Sequence, residues 1–324
     1  MSLKRPNFFV FLVVMGFCFS QLAALPARGE QITAFTAIEP YAFFVEQIGG
    51  NVVRVETLVS SGKDPHTFEP TPSGLSKLSS GKIYFRTGMP FEEKLLEKFP
   101  SLFPHLKVVD TNKGIVYRKM ENDKHGSKPH IHDNHKRGYE HKFKDTNVAH
   151  LNHSESSNEH NHSNLDPHVW LSPKNAKMIS ENIAETLSSF LPEYGVFFRN
   201  NAQHLKQTLD LLDSNLSDSL SKFKGKSFYV YHPAFGYLAD DYGLFQRAVE
   251  IEGKEPTAKQ LARLIDSARR ENVSVVFVAP QFSKKGADAV AKGINGVVVE
   301  IDPLERNYIA NLEKIVQKIH SSFK

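Results

Sequence analysis

The chain has 324 residues, 40% of them apolar and 23% charged, which suits one or two folded domains rather than a disordered polymer. Its formal net charge is +4, but residues 1–29 hold Lys4, Arg5 and Arg28 and no acid, which leaves 37 basic against 36 acidic side chains beyond them. A near-neutral chain without a basic stripe excludes nucleic acid as an expected partner, and one cysteine, Cys18, excludes a disulfide framework or a thiolate metal centre.

The chain begins with an expected export signal. Lys4 and Arg5 precede an apolar run from Phe8 to Phe19, too short for the about twenty residues of a membrane-spanning helix. The small residues of "ALPARG" follow, with Ala27 and Gly29 favoured for cleavage and a mature start near Glu30. Gly16-Phe17 precede Cys18, where a lipoprotein signal needs a small residue directly before the cysteine, so lipid anchoring is disfavoured, and the export signal leads to a periplasmic location as the expectation.

From Gln31, β-rich and helical runs alternate: "ITAFTAI", "YAFFVEQIGG", "VVRVETLV", "KIYFRTG", "FEEKLLEKF" and "KVVD". That alternation predicts βαβ units and a mainly parallel sheet. It breaks near Gly114, and residues 118–164 turn to His, Lys, Asn, Ser, Asp and Glu. Such a stretch buries too little apolar surface to offset its ordering entropy, so a disordered loop is expected within a first lobe spanning 30–191. At "LDPHVWLSP" order resumes, and Ser172-Pro173 supplies a cap and first-turn proline for a helix to about Phe190.

Across residues 192–223, Val196, Phe197, Leu205, Leu209, Leu212, Leu216 and Leu220 recur at mostly helical spacing. They predict a connecting helix of roughly thirty residues and about 45 Å. Beyond it come "SFYVY", "PAFGYLADDYG", "FQRAVEI", a helix over 257–270, "VSVVFVAP", a helix over 284–292, "GVVVEID" and a last helix to about Ile319. These make a second α/β lobe over 224–324. The expected architecture is two α/β lobes with mainly parallel sheets, joined by one long helix and enclosing a site in the cleft.

Ligands of open α/β sheets bind beyond the carboxyl ends of the strands. His66 follows "VVRVETLV", His232 ends "SFYVYH", Asp302 ends "GVVVEID", and His168 precedes a helix of the first lobe. Taken alone, each histidine is more often a satisfied polar residue than a ligand, and "IDP" after a strand is an ordinary turn. His66 and His168, however, both sit in Asp-Pro-His, where proline restricts the backbone before the imidazole. Three histidines and one carboxylate suit tetrahedral Zn²⁺. Glu69, three residues after His66, is a candidate to orient a ligand, or a solvated surface acid.

The stretches "DPHTFEPTPS", "DPHVWLSPKNA", "YHPAFGYLADDYG" with "EGKEPTAKQL", and "EIDPL" resemble, in order, the signatures of zinc-specific periplasmic solute-binding proteins of ABC transporters. The resemblance runs over nearly the whole chain beyond residue 29 and includes a histidine-rich insertion before the second stretch. It implies two lobes around a rather rigid helix, Zn²⁺ held between them as transported cargo, an ABC membrane permease as partner, and a monomer. Manganese-specific members carry a carboxylate where this chain has His232, so the resemblance is to the zinc subgroup. The chain departs from some members in lacking a disulfide in the second lobe and in its compact "IDPLERNYIANL".

His125, His130, His132, His135, His141, His150, His153, His160 and His162 are spaced irregularly without apolar anchors. They are expected to bind metal weakly and exchangeably, if they do more than solvate a linker. His105, His204 and His320 read as structural or surface residues, His204 on the connecting helix. Three competing functions remain: a manganese or nickel carrier, a secreted zinc hydrolase, and a metal-buffering adhesin centred on the loop. Against the hydrolase, neither H-E-x-x-H nor G-x-S-x-G occurs.

Overall fold

The structure, a computed structural model, describes residues 31–120, 165–251 and 253–323. The first twenty-nine residues, Cys18, and the nine histidines between 125 and 162 therefore lie outside the described residues.

The first lobe runs β1 (Ile32–Thr36), α1 (Glu39–Gly49), β2 (Val53–Thr57), α2 (Pro72–Lys77), β3 (Ile83–Arg86), α3 (Pro90–Leu96), α4 (Phe99–Leu102) and β4 (Lys107–Asp110). Then come α5 (Pro173–Phe190) and α6 (Gly195–Leu220), the latter flanked by 3₁₀ turns at Pro192–Tyr194 and Ser221–Phe223. The second lobe follows as β5 (Ser227–Val230), α7 (Gly236–Tyr242), β6 (Phe245–Ala248), α8 (Ala258–Arg270), β7 (Val275–Val278), α9 (Lys284–Gly293), β8 (Val297–Glu300) and α10 (Tyr308–Ser322). Each lobe has a four-stranded, all-parallel sheet, ordered β2-β1-β3-β4 in the first and β6-β5-β7-β8 in the second. Corresponding strands occupy the same places, so the two lobes share one topology.

Local signals account for the helix ends. The Ser172 hydroxyl accepts from the Asn175 N–H at 3.2 Å and Pro173 occupies the first turn of α5. Thr257 and Gln260 form a reciprocal capping box at the start of α8. Gly50 ends α1 at φ +53°, a conformation that costs other residues energy, and a Cβ there would meet Phe197 of α6 at 3.0 Å.

The long helix differs in detail from its expectation. Its α-helical part has 26 residues, hence about 39 Å. Its buried stripe is Phe198, Ala202, Leu205, Leu209, Leu212, Leu216 and Leu220, whereas Val196 is 66% exposed. Counted back from Leu205 at the α-helical period, Ala202 and Phe198 fall on the buried face and Val196 on the opposite one. His204 lies exposed on this helix. His105 is exposed beside the Ser79 carbonyl, and the His320 ring packs edge-on against Phe223.

Arg118 and Lys119 also depart from expectation: they belong to the ordered first lobe, not to the loop. Lys119 forms an antiparallel bridge with Leu165, and the Asp166 N–H donates to the Arg118 carbonyl at 2.9 Å. The two ends of the interrupted segment thus meet.

The largest core is continuous through both lobes. It joins Ala34, Tyr41, Phe44, Ile83 and Trp170 of the first lobe, Ile183 of α5 and Leu209 of α6 to Phe228, Leu238, Leu312 and Ile319 of the second. Smaller clusters cover the outer faces, Phe35 with Tyr84 and Phe99 in one lobe, Tyr229 with Val276 and Leu264 in the other. Among the described residues, no helix is long and apolar enough to cross a membrane.

Candidate metal centre

The three isolated histidines converge. His66 Nε2 lies 3.1 Å from His168 Nε2, which lies 3.2 Å from His232 Nε2. One ligand atom from each of the three falls within 4.8 Å of the others, the only such group among the described residues. Two nitrogens bound tetrahedrally to one Zn²⁺ at about 2.0 to 2.1 Å are about 3.3 to 3.4 Å apart, so the spacing is close to that of a filled zinc centre.

Each imidazole arrives on a different element. His66 stands in the loop after β2, where Asp64 Oδ1 accepts its backbone N–H at 2.9 Å. His168 precedes a 3₁₀ turn, and Asp166 Oδ1 accepts its N–H at 3.0 Å. The two Asp-Pro-His segments therefore fold alike, and the aspartate as well as the proline shapes them. His232 stands two residues past the end of β5.

Two carboxylates orient the rings. Asp166 Oδ1 lies 2.8 Å from His168 Nδ1, and Glu250 Oε1 lies 2.7 Å from His232 Nδ1. An ionised carboxylate only accepts, so both Nδ1 atoms carry the proton and both Nε2 lone pairs face the centre. Glu69, the acid considered for such a role, is exposed. Glu250 escaped sequence reading because its signal is a register: Val230 pairs with Ala248 across β5 and β6, and two residues further on His232 meets Glu250. Asp166 was visible in the sequence only as part of its tripeptide.

Aromatic rings wall the site. Phe282 stacks on His232 with centroids 4.6 Å apart, and Trp170 lies 5.4 Å from His168. Phe68, two residues past His66, packs edge-on against Phe91 of α3. That helix is anchored by the buried Glu92, which accepts from the Tyr84 hydroxyl at 2.7 Å, the Thr87 hydroxyl at 3.0 Å and the Met89 N–H at 2.8 Å.

Burial lowers the His66 pKa well below its ordinary value, and the neighbouring His168 and His232 lower it further. His168 is also lowered by burial, against the upward pull of Asp166. Both effects favour the neutral imidazole that a metal needs. Asp302 is not part of the group: its Oδ1 accepts from Gln281 Nε2 at 2.8 Å and from the Leu304 N–H at 2.9 Å, capping the turn after β8.

Two parallel-sheet lobes around a long helix, with a buried cluster of imidazoles drawn from both lobes, define the class of two-lobed solute-binding proteins. The family model described as "ZnuA: Zinc-uptake complex component A periplasmic" matches residues 35–322, and the chain belongs to that family. Its members serve zinc uptake as binding proteins, a transport task rather than a catalytic one.

Three similar proteins bracket the chain. A crystal structure of ZnuA is 31% identical, with a TM-score of 0.77, over 91% of this chain and 100% of that one. A protein of Chlamydia muridarum described as a putative metal-binding protein is 28% identical over 93% of this chain and 94% of its own length. The zinc-binding protein AdcA of Streptococcus pyogenes serotype M3 is 30% identical over 88% of this chain but 53% of its own length, so the chain spans about half of that relative.

Proposed function

We propose that this protein captures extracytoplasmic Zn²⁺ between its lobes with His66, His168 and His232, water completing the shell, and delivers it to an ABC permease. One observation carries the residue assignment: two Nε2 lone pairs fixed by Asp166 and Glu250 face each other at 3.2 Å. Two lone pairs so placed repel unless a cation lies between them. Zinc as the cargo is further supported by the family and by the zinc-binding relative AdcA. Export through residues 1–29 without a lipid on Cys18, a monomeric state, and lobes bounded at 30–191 and 224–324 belong to the same proposal. The nine histidines between 125 and 162 are assigned weaker, accessory binding.

Calorimetric Zn²⁺ titration of the chain from Glu30 tests it. One tight event with weaker ones is expected. Replacing both His66 and His168 by alanine should remove the tight event alone, and deleting residues 121–164 the weak ones alone. A tight event that survives the double replacement sinks the interlobe site.

A further inference from the structure

Arg118 lies outside every strand and helix, yet only 15% of its side chain is exposed. Its Nη1 donates to Asp166 Oδ2 at 3.1 Å, and its Nε lies 2.9 Å from Asp240 Oδ2 on α7 of the other lobe. The Arg118 backbone N–H donates to the Tyr237 hydroxyl at 3.0 Å, which donates in turn to the Asp166 carbonyl at 2.9 Å. The guanidinium occupies the space above Gly236, where a Cβ would come within 1.3 Å of Nη1.

Asp166 is completely buried, and its other oxygen holds both the N–H and the Nδ1 of His168. A carboxylate in that position is costly without a second charged partner, and Arg118 supplies it. The arginine meets Asp166 from the first lobe and Asp240, Tyr237 and Gly236 from the second. His232 lies four residues before Gly236 on the same stretch of chain.

We infer that Arg118 is a positioning residue for the metal centre: it fixes Asp166, and through it the His168 ring, only when α7 of the second lobe is seated against the first. The orientation of one ligand is thereby tied to lobe docking. The inference rests on the three-histidine site.

The test compares the wild type with Arg118→Met, Arg118→Lys, Gly236→Ala and Asp240→Asn. Zinc affinity and release are read by chelator competition, the His168 and His232 Nδ1–H resonances by ¹⁵N NMR of the metal-free protein, and folding by melting temperature. Arg118→Met and Gly236→Ala, the second displacing the guanidinium and also bringing a Cβ to 3.0 Å from Asp166 Oδ2, should each weaken Zn²⁺ binding about 10- to 100-fold. Both should shift the His168 resonance and leave that of His232, which Glu250 holds. Arg118→Lys should restore most of the affinity and the signal.

Unchanged affinity and an unchanged His168 signal in both Arg118→Met and Gly236→Ala overturn the inference. So do equal shifts of both histidines with a matching fall in melting temperature, which mark general loosening. Should those variants fail to fold, Asp240→Asn, at a 61% exposed side chain, decides: release several-fold faster supports the inference, and unchanged release overturns it. A wild type that binds no Zn²⁺ tightly would instead refute the three-histidine site.

Discussion

The two nitrogens of His168 and of His232 do different work, one gripping a carboxylate and the other facing the centre. Removing the grip frees the ring to turn, so Glu250→Ala should weaken zinc binding about 10- to 100-fold. The melting temperature of the metal-free protein should change little by comparison; calorimetry beside a melting curve distinguishes the two. The depressed pKa values of His66 and His168 give a further prediction. Proton competition should set in below the ordinary histidine value of about 6.5 rather than at it. Affinity measured by chelator competition should stay nearly level from about pH 7.5 to 6.5 and fall below that; a tenfold loss already at 6.5 would contradict it. The metal-free fold follows the same sign: unfolded imidazoles take up protons below about 6.5 while the folded ones resist, so stability drops as pH falls through that range. The three converging histidines were legible because each stands beside a recognisable strand or turn. Asp166 and Glu250 were not, since their role depends on a ring orientation and a strand register that spacing along the chain does not encode. Asp302 misled for a related reason: an aspartate after a strand caps a turn as readily as it binds a metal, and here it caps.

Among the elements, α7 concentrates the polar contacts between lobes. Asp240 meets Arg118, the Asp241 carboxylate accepts from the Ser172 hydroxyl and pairs with Lys174 at 2.9 Å, and the Tyr242 hydroxyl donates to Asp213 of α6 at 3.0 Å. The stretch "YHPAFGYLADDYG" thus combines His232, a proposed ligand, with the polar groups that seat its lobe. Asp241→Ala leaves the hydroxyl of Ser172, the residue that caps α5, without its acceptor and should cost about 1 to 2 kcal/mol, read from urea unfolding. A cost indistinguishable from zero would mean that α7 is held by its apolar face alone. The helical period located α6 and most of its buried leucines. In the first turn the stripe falls on Phe198 rather than Val196; both are apolar, and only counting the period back from Leu205 separates them.

At the scale of the whole molecule, the lobes are not separate bodies. Phe228, Leu312 and Ile319 share one core with Tyr41, Trp170 and Leu209. Arg306 reinforces the contact by reaching Glu39 and Glu46 of α1, and Trp170 Nε1 donates to the Pro303 carbonyl at 2.9 Å. Heat should therefore unfold the protein in a single cooperative transition, with calorimetric and van't Hoff enthalpies equal. Two resolved transitions would show that the shared core is too weak to couple the halves. The alternation of strands and helices made two α/β lobes legible, but which apolar faces meet across them depends on how the sheets pack around α6. The first lobe contributes two of the three imidazoles and the second lobe one. Any parting of the halves in the proposed site breaks a single coordinate bond, so the ion remains with the first lobe, short of one imidazole and open on the side that the second lobe had covered. An acceptor offering even a few competing ligands would meet the metal there, at its weakest hold.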